Sequence, residues 1–151
     1  MATIISNSPA ETTRLGETWG REAESGWLIG LTGDLGAGKT QLVQGIALGL
    51  GVRERVSSPT FGIVNEIDSA RLPFCHLDLY RLKGWDDVVN AGIDGYLIER
   101  TGVVVVEWID RCLSSAAEEE WLREGGGRFR RVTIEVLAES RRSIRYEDFG
   151  D

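Results

Sequence analysis

The chain has 151 residues, with 17 basic and 24 acidic side chains and a formal net charge of −7. This length suits a single domain, residues 1–151, which buries a proper core and leaves too little chain for a second one. The acidic balance argues against a broad basic face that grips nucleic acid directly. Two cysteines without metal-ligand spacing, and a sequence without an apolar run of membrane length, predict a soluble, cytoplasmic protein.

The N-terminal segment predicts a short strand followed by a helix. The stretch "TIIS" (3–6) has the composition of an edge strand. In "SPAE", Ser8 suits the N-cap, Pro9 the first helical position, and Glu11 the third position after the cap. We expect this helix to run to about Ser25.

The next three segments predict a strand, a glycine-rich loop and a helix. The apolar run "WLIGLT" (27–32) is typical of a buried strand, and "QLVQGIALGL" (41–50) has the apolar spacing of a helix. Between them, "GDLGAGKTQ" (33–41) fits the pattern G-x-x-x-x-G-K-[ST], which cradles nucleotide phosphates. The chain contains only two lysines, so a chance match to this pattern is rare. This context indicates a phosphate-binding loop.

Each residue type in this loop has a physical role in holding phosphate. Glycines let backbone N–H groups turn inward as an anion nest, at the positive end of the following helix. Lys39 can reach the β- and γ-phosphates, and the Thr40 hydroxyl can coordinate Mg²⁺. We expect Lys39 to be an exposed side chain that contributes little packing. The predicted nucleotide-binding residues of the loop are Leu35, Gly36, Ala37, Gly38, Lys39 and Thr40.

Two predicted strands after this helix carry further candidate residues. The stretches "FGIVNEI" (61–67) and "PFCHLDLYRL" (73–82) predict a hairpin. Asp78 shares a strand face with His76, and it reaches a bound metal if its strand adjoins the loop strand. An aspartate on a polar strand face is equally typical of solvated surface, and a lone histidine is more often structural. Thr60, in "SSPTFG", suits either a γ-phosphate sensor or an ordinary turn.

A second acid follows the most apolar strand of the chain. After a broken helix at 85–99, "VVVVEWI" (103–109) has four consecutive valines without period-2 alternation, which is typical of a strand buried on both faces of a mostly parallel sheet. Glu107 ends this strand, on the side where open α/β sheets bind ligands. It suits holding Mg²⁺ or polarising an attacking water, unless it is a solvated strand-end glutamate.

The C-terminal third predicts a short polar helix at 114–124 and a closing pair of strands at 131–139 and 142–149. Together these elements predict one α/β domain of the P-loop NTPase type, with a mostly parallel central sheet, antiparallel edge strands and flanking helices. The sequence lacks the N-K-x-D and D-x-x-G motifs of a GTPase switch. A small P-loop nucleotidase with two carboxylates, a small-molecule kinase and a nucleotide-sensing subunit stay open.

Four stretches in this order and spacing resemble the TsaE (YjeE) family of small bacterial ATPases: "GDLGAGKTQ", "SSPTFGIVNEI", "HLDLYRL" and "VVVVEWIDR". The resemblance covers residues 8 to about 145. It implies ATP as substrate, Mg²⁺ held near Thr40 and Glu107, and Asp78 as the other acid of the site. It also implies that Thr60 is a switch residue and Trp108 a functional aromatic. Adenine contacts are expected near the start of the first helix or near Asp110.

The resemblance also implies a function. The family takes part in making threonylcarbamoyladenosine in tRNA, which predicts an Mg²⁺-dependent ATPase that serves a TsaB–TsaD-like complex and meets tRNA only through it. Its catalytic residues would be Lys39, Asp78 and Glu107. No arginine is clearly placed beside the γ-phosphate, so we expect slow hydrolysis by the isolated chain and stimulation by partners. The alternative is a stand-alone small-molecule kinase.

Overall fold

The computed structural model describes residues 1–34, 36–53, 64–68, 70–113, 120, 122 and 127–150. Leu35, Thr60 and most of the polar helix predicted at 114–124 lie outside the described residues. In the described part, none of the helices is both long enough and apolar enough to cross a membrane. The elements are β1 (Ala2–Ser6), α1 (Pro9–Glu22), β2 (Leu28–Thr32), α2 (Lys39–Gly49), β3 (Val64–Ile67), β4 (Phe74–Asp78), α3 (Trp85–Asn90), α4 (Asp94–Ile98), β5 (Val103–Glu107), a 3-10 turn (Ile109–Arg111), β6 (Phe129–Ala138) and β7 (Arg141–Phe149).

Seven strands form one mixed sheet in the order β1-β7-β6-β2-β5-β4-β3. The four central strands, β6, β2, β5 and β4, pair in parallel. The outer pairs, β1 with β7, β7 with β6, and β3 with β4, are antiparallel. This arrangement confirms the predicted α/β fold with a parallel centre and antiparallel edges, and it confirms both predicted strand pairs.

The first helix begins as predicted and ends earlier than predicted. The Ser8 hydroxyl accepts a hydrogen bond from the Glu11 backbone N–H at 3.1 Å, so Ser8 caps the helix. The helix ends at Glu22, three residues before the expected Ser25. Arg71 donates hydrogen bonds to the carbonyls of Gly20 at 2.9 Å and Ala23 at 2.8 Å. These bonds satisfy carbonyls that the end of a helix leaves unpaired.

The valines of β5 divide between two cores, one on each face of the sheet. Val103 and Val105 pack with α1 and α2, whereas Val104 and Val106 pack with α3 and α4. All four are buried, which confirms the prediction of a doubly covered central strand. Because side chains alternate along a strand, Glu107 faces the α2 side.

Glycines allow α1 and α2 to pack closely against each other. A Cβ added at Gly20 would lie 2.2 Å from the Ile46 carbonyl oxygen, and one at Gly45 would lie 2.1 Å from the Thr13 carbonyl oxygen. Only glycine permits this backbone approach, since any side chain would overlap the neighbouring helix. The close contact brings the start of α1 beside the start of α2, where the predicted phosphate-binding loop lies.

Candidate functional site

A cavity of about 400 Å³ opens at the carboxyl ends of the central strands. Its volume falls in the range of small-molecule sites. Three walls surround it: the loop and first turn of α2, the ends of β4 and β5, and the start of α1 facing the β6–β7 hairpin. The lining residues are Ser8, Pro9, Thr12, Gly36, Ala37, Gly38, Lys39, Thr40, Gln41, Asp78, Tyr80, Glu107, Trp108, Glu139, Ser140 and Arg142. The cavity therefore brings together the described loop residues, both predicted acids and Trp108.

The loop between β2 and α2 has the backbone of an anion site. Gly36 and Gly38 adopt positive φ angles of 78° and 103°, a conformation that side chains disfavour. Gly38 is the N-cap of α2 and has no side chain to occupy the first N–H groups of the helix. These groups and the positive end of the helix favour an anion at this position.

Lys39 is buried, so the expectation of an exposed lysine is wrong. It is 5% exposed, and its ammonium donates hydrogen bonds to the carbonyls of Gly33 and, at 2.8 Å, of Asp34. The same group lies 4.0 Å from the centre of the Trp108 ring. Burial lowers the pKa of Lys39, while nearby carboxylates, led by Glu107, oppose this shift. The lysine is thus held in place at the cavity by its surroundings.

Glu107 and His76 form a buried pair on the opposite wall. In the parallel register of β4 and β5, Asp78 lies beside Glu107, and His76 lies on the same face two residues earlier. Glu107 is 3% exposed and His76 is fully buried. The His76 Nε2 atom lies 2.6 Å from Glu107 Oε2. A carboxylate can only accept, so Nε2 carries the hydrogen and donates it to Glu107.

The sequence favoured a structural role for His76 and did not predict its bond with Glu107. The His76 Nδ1 atom is buried and has no hydrogen-bond partner among the described residues. A buried polar atom without a partner is uncommon and costs stability. The i, i+2 spacing puts His76 and Asp78 on one strand face, but the bond to Glu107 depends on how β4 pairs with β5.

Asp78 lies at the rim of the same wall. Its Oδ1 atom accepts a hydrogen bond from the Tyr80 backbone N–H at 3.0 Å. Burial raises the pKa of Asp78, and the charge of Glu107 raises it further, while the bond from Tyr80 and the charges of His76 and Lys39 lower it. The net effect is a raised pKa, so the ionised form of Asp78 lowers the stability of the folded chain.

Trp108 follows Glu107 in a strained backbone conformation. Its φ of 61° and ψ of 42° make it the one non-glycine residue with positive φ in the described ranges. Such a conformation costs about 1–3 kcal/mol and persists only where packing enforces it. Here Ile109 is fully buried and packs against the space left by Gly30. The Trp108 ring contacts the Tyr80 ring at 5.0 Å between centroids and carries Lys39 on its face.

The remaining predicted site residues have different positions. Thr40 lies in the first turn of α2 and lines the cavity. Asp110 is exposed in the 3-10 turn and is not among the lining residues, although its charge acts on Lys39. The predicted contacts of Leu35 and Thr60 fall outside the described residues. The start of α1, one of the two places expected for adenine, does line the cavity.

Comparisons with known proteins agree on one family. The model of the family described as "Threonylcarbamoyl adenosine biosynthesis protein TsaE" matches residues 6–144. The chain is 36% identical to the tRNA threonylcarbamoyladenosine biosynthesis protein TsaE of Treponema pallidum, over 93% of this chain and 96% of that protein. The protein of the same name from Bacillus subtilis is 35% identical, over 86% and 82%.

A solved structure resembles the fold closely. The crystal structure of YdiB from Bacillus subtilis superposes with a TM-score of 0.76 and 29% sequence identity. The superposition covers 99% of this chain and 86% of that chain. Sequence and fold therefore point to the same relatives.

Proposed function

The chain belongs to the TsaE family, and we propose that it is an Mg²⁺-dependent ATPase, built as one domain, that acts in threonylcarbamoyladenosine modification of tRNA. The observation that supports this most is a single cavity that joins the P-loop lysine, Lys39, to a buried carboxylate, Glu107. A phosphate-binding loop alone is common to many classes of protein. A carboxylate facing the loop across the same cavity adds a group for hydrolysis.

The loop would bind the triphosphate, and the outer part of the cavity would bind the nucleoside. Backbone N–H groups near Gly36 and Gly38 and the ammonium of Lys39 supply positive charge for the phosphates. The nucleoside would extend between the start of α1 and the tip of the β6–β7 hairpin, since Pro9 and Ser140 line the cavity there.

The donor atoms in the cavity fit Mg²⁺. Magnesium prefers oxygen ligands and uses one or two carboxylates together with waters and phosphate oxygens. The Thr40 hydroxyl and the Glu107 carboxylate would hold the ion, with Asp78 nearby. When bound, the ion neutralises charge on the phosphates. In the described ranges, no group of three or more His, Cys, Asp or Glu side chains forms a candidate metal site, so the proposed ion would also need nucleotide oxygens.

Glu107 would orient the water that attacks the γ-phosphate, and His76 would hold Glu107. The bond from His76 engages Oε2, so the carboxylate has a defined position before substrate arrives. Phosphoryl transfer depends on positioning and on charge stabilisation, so a fixed carboxylate increases the rate more than a mobile one does.

The site needs one more positive charge for fast hydrolysis. A cationic side chain near the γ-phosphate contributes about 10³ to 10⁵ in rate in related chemistry. The Arg111 guanidinium lies over the Trp108 ring at 5.3 Å and the Tyr80 ring at 5.6 Å. We propose that a TsaB–TsaD-like complex either moves such a group into place or supplies it, and that this complex holds the tRNA.

Single-turnover hydrolysis of ATP, with and without the TsaB–TsaD-like proteins, tests this proposal. We expect slow hydrolysis by the chain alone and a large increase on addition of the complex. A panel of small-molecule phosphoryl acceptors should give no efficient transfer. An isolated chain that turns over many times per second and ignores the complex, or one that phosphorylates an acceptor efficiently, would favour the kinase instead.

A further inference from the structure

We propose that Arg142 is a positioning residue that holds the phosphate-binding loop in shape from the β6–β7 hairpin. This inference rests on the proposed nucleotide function and assigns a role to the third wall of the cavity. In the sequence, Arg142 stands close to Arg141 and Arg145, and no motif marks it as a site residue.

Strand geometry directs Arg142 towards the loop. Arg142, Ile144 and Tyr146 alternate along β7 and share one face, and Ile144 is buried in the core beneath α1 and α2. Arg142 occupies the next inward position, beyond the apolar core. Its strand neighbours are Ser6 in β1 and Val136 in β6, next to an irregular register in the hairpin. Such irregularities often redirect a strand end near a site.

The guanidinium group of Arg142 binds the loop backbone on one side. Its Nε atom donates to the Ala37 carbonyl at 3.0 Å, and Nη2 donates to the Gly36 carbonyl at 3.4 Å. In a planar trans peptide, the carbonyl oxygen and the following N–H point in opposite directions. Arg142 therefore keeps the carbonyl of Ala37 turned towards the hairpin and the N–H of Gly38 turned away from it.

The same group binds the hairpin tip on its other side. Its Nη1 atom lies within hydrogen-bond distance of the carbonyls of Ala138 at 2.9 Å, Arg141 at 3.1 Å and Glu139 at 3.2 Å. The acceptors at both ends are neutral carbonyls, so the contacts do not cancel the positive charge of Arg142, which also lines the cavity. Only a planar, forked cation bridges two backbone segments in this way, and lysine cannot replace it.

The arrangement couples the hairpin to phosphate binding. A loop that is already shaped for an anion loses less conformational entropy when the phosphate binds. Removing Arg142 leaves the glycine-rich loop free to adopt other conformations, since Gly36 and Gly38 restrain it little. The expected loss is therefore in affinity for phosphates, whether or not a nucleoside is attached.

Calorimetric titration of ADP, and displacement of ADP by inorganic pyrophosphate, test this role in the full chain. We compare Arg142→Met, which keeps the aliphatic stem, with Arg142→Lys, which keeps the charge. Arg141→Met is the matched control, because Arg141 is an exposed neighbour that does not line the cavity. Arg142→Met should weaken ADP and pyrophosphate by the same factor, at least tenfold. Arg142→Lys should recover little of this loss, and Arg141→Met should bind as the unaltered chain does.

Amide hydrogen exchange without nucleotide gives a second readout. Arg142→Met should speed exchange in the peptide that contains Gly36 to Lys39, while exchange in β2 and β5 stays unchanged. Wild-type affinity in Arg142→Met, or loss of ADP affinity with pyrophosphate affinity intact, would overturn the proposed role. Uniformly faster exchange across the sheet would also overturn it, because that result indicates general destabilisation. Failure of the unaltered chain to bind ADP would instead overturn the proposed function, and this role with it.

Discussion

The two inner walls of the cavity are built in different ways. The loop wall comes from six consecutive residues, 36–41, all of which line the cavity. The acidic wall comes from two strands, β4 and β5, and exists only because they pair in a parallel register that sets Asp78 beside Glu107. A local motif makes the first wall, whereas long-range pairing makes the second.

From this difference we expect the loop wall to act mainly in binding and the acidic wall mainly in the chemical step. The loop wall carries backbone N–H groups and Lys39, which in the proposed function would act on phosphates in both the ground state and the transition state. The acidic wall carries Glu107, which the His76 side chain holds at 2.6 Å, and Asp78, which accepts a hydrogen bond from the Tyr80 backbone. Changes in the first wall should therefore alter binding most, and changes in the second should alter the chemical step.

The largest effect is expected for Lys39→Met. Loss of a buried, hydrogen-bonded cation should weaken ATP and ADP binding roughly a thousandfold, about 4 kcal/mol. Isothermal titration calorimetry measures this loss. Lys83→Met is the matched control, since the other lysine of the chain is exposed and is not among the lining residues. Normal ADP affinity in Lys39→Met would contradict the assignment of the loop.

Glu107→Gln should distinguish the roles of the two walls most clearly, because it should slow hydrolysis and leave nucleotide binding nearly unchanged. The amide keeps the size of the side chain and removes its charge, so single-turnover hydrolysis should slow by roughly a hundredfold. Binding of ADP without Mg²⁺ should stay within about threefold of the unaltered chain, a change of less than 1 kcal/mol. Glu99→Gln, an exposed glutamate, serves as control. Unchanged hydrolysis in Glu107→Gln would shift the role to Asp78.

His76 allows a finer test of the acidic wall. His76→Met removes the donor to Glu107 and should slow hydrolysis about tenfold, the lower end of losses when a supporting group is removed. His76→Gln keeps an N–H donor and should recover part of this loss. The ratio of ATP affinities measured with Mg²⁺ and with a chelator should fall in His76→Met only. Equal losses in both variants, matched by equal falls in melting temperature, would indicate packing alone.

The smallest effect concerns stability and its dependence on pH. The pKa of Asp78 is raised in the folded chain, so folding favours its protonated form. Stability from this proton is present at low pH and is lost as pH rises through the folded pKa. Asn cannot ionise and can still accept the Tyr80 N–H, so Asp78→Asn should melt at higher temperature than the unaltered chain at pH 7. Near pH 4, about the ordinary pKa of aspartate, the difference should shrink.

Thermal unfolding followed by circular dichroism at the two pH values measures this effect. A lower melting temperature for Asp78→Asn at pH 7 would contradict it. The sign of the change in melting temperature bears on the comparison of the walls. A carboxylate that destabilises the protein without nucleotide indicates a site arranged for function rather than for stability.

Much of this protein could be predicted from its sequence, because the signals are local. The loop pattern needs only neighbouring residues and the strand and helix that flank it. The cap at Ser8 and the valines at 103–106 depend on chain-neighbour geometry and on burial of apolar surface, and both predictions are confirmed. The β6–β7 pair also matches the closing pair of strands predicted from the sequence.

The features that the sequence did not predict depend on contacts between residues that are distant in the chain. The burial of Lys39 follows from Trp108, whose ring covers the ammonium from the end of another strand. The role of Arg142 follows from a hairpin that folds back onto the loop. Neither contact leaves a periodic or spacing signal in the sequence around the residue.

The sequence by itself determined the loop, the central strand and the family, since the first two are each formed by consecutive residues and the family is marked by four short stretches. The tertiary structure decided which acids meet the loop and how they are held. Register between β4 and β5 places His76 within 2.6 Å of Glu107, and a shift of one residue would turn His76 to the opposite face of the sheet. Pairing register depends on the packing of the whole sheet, so only the folded chain specifies it.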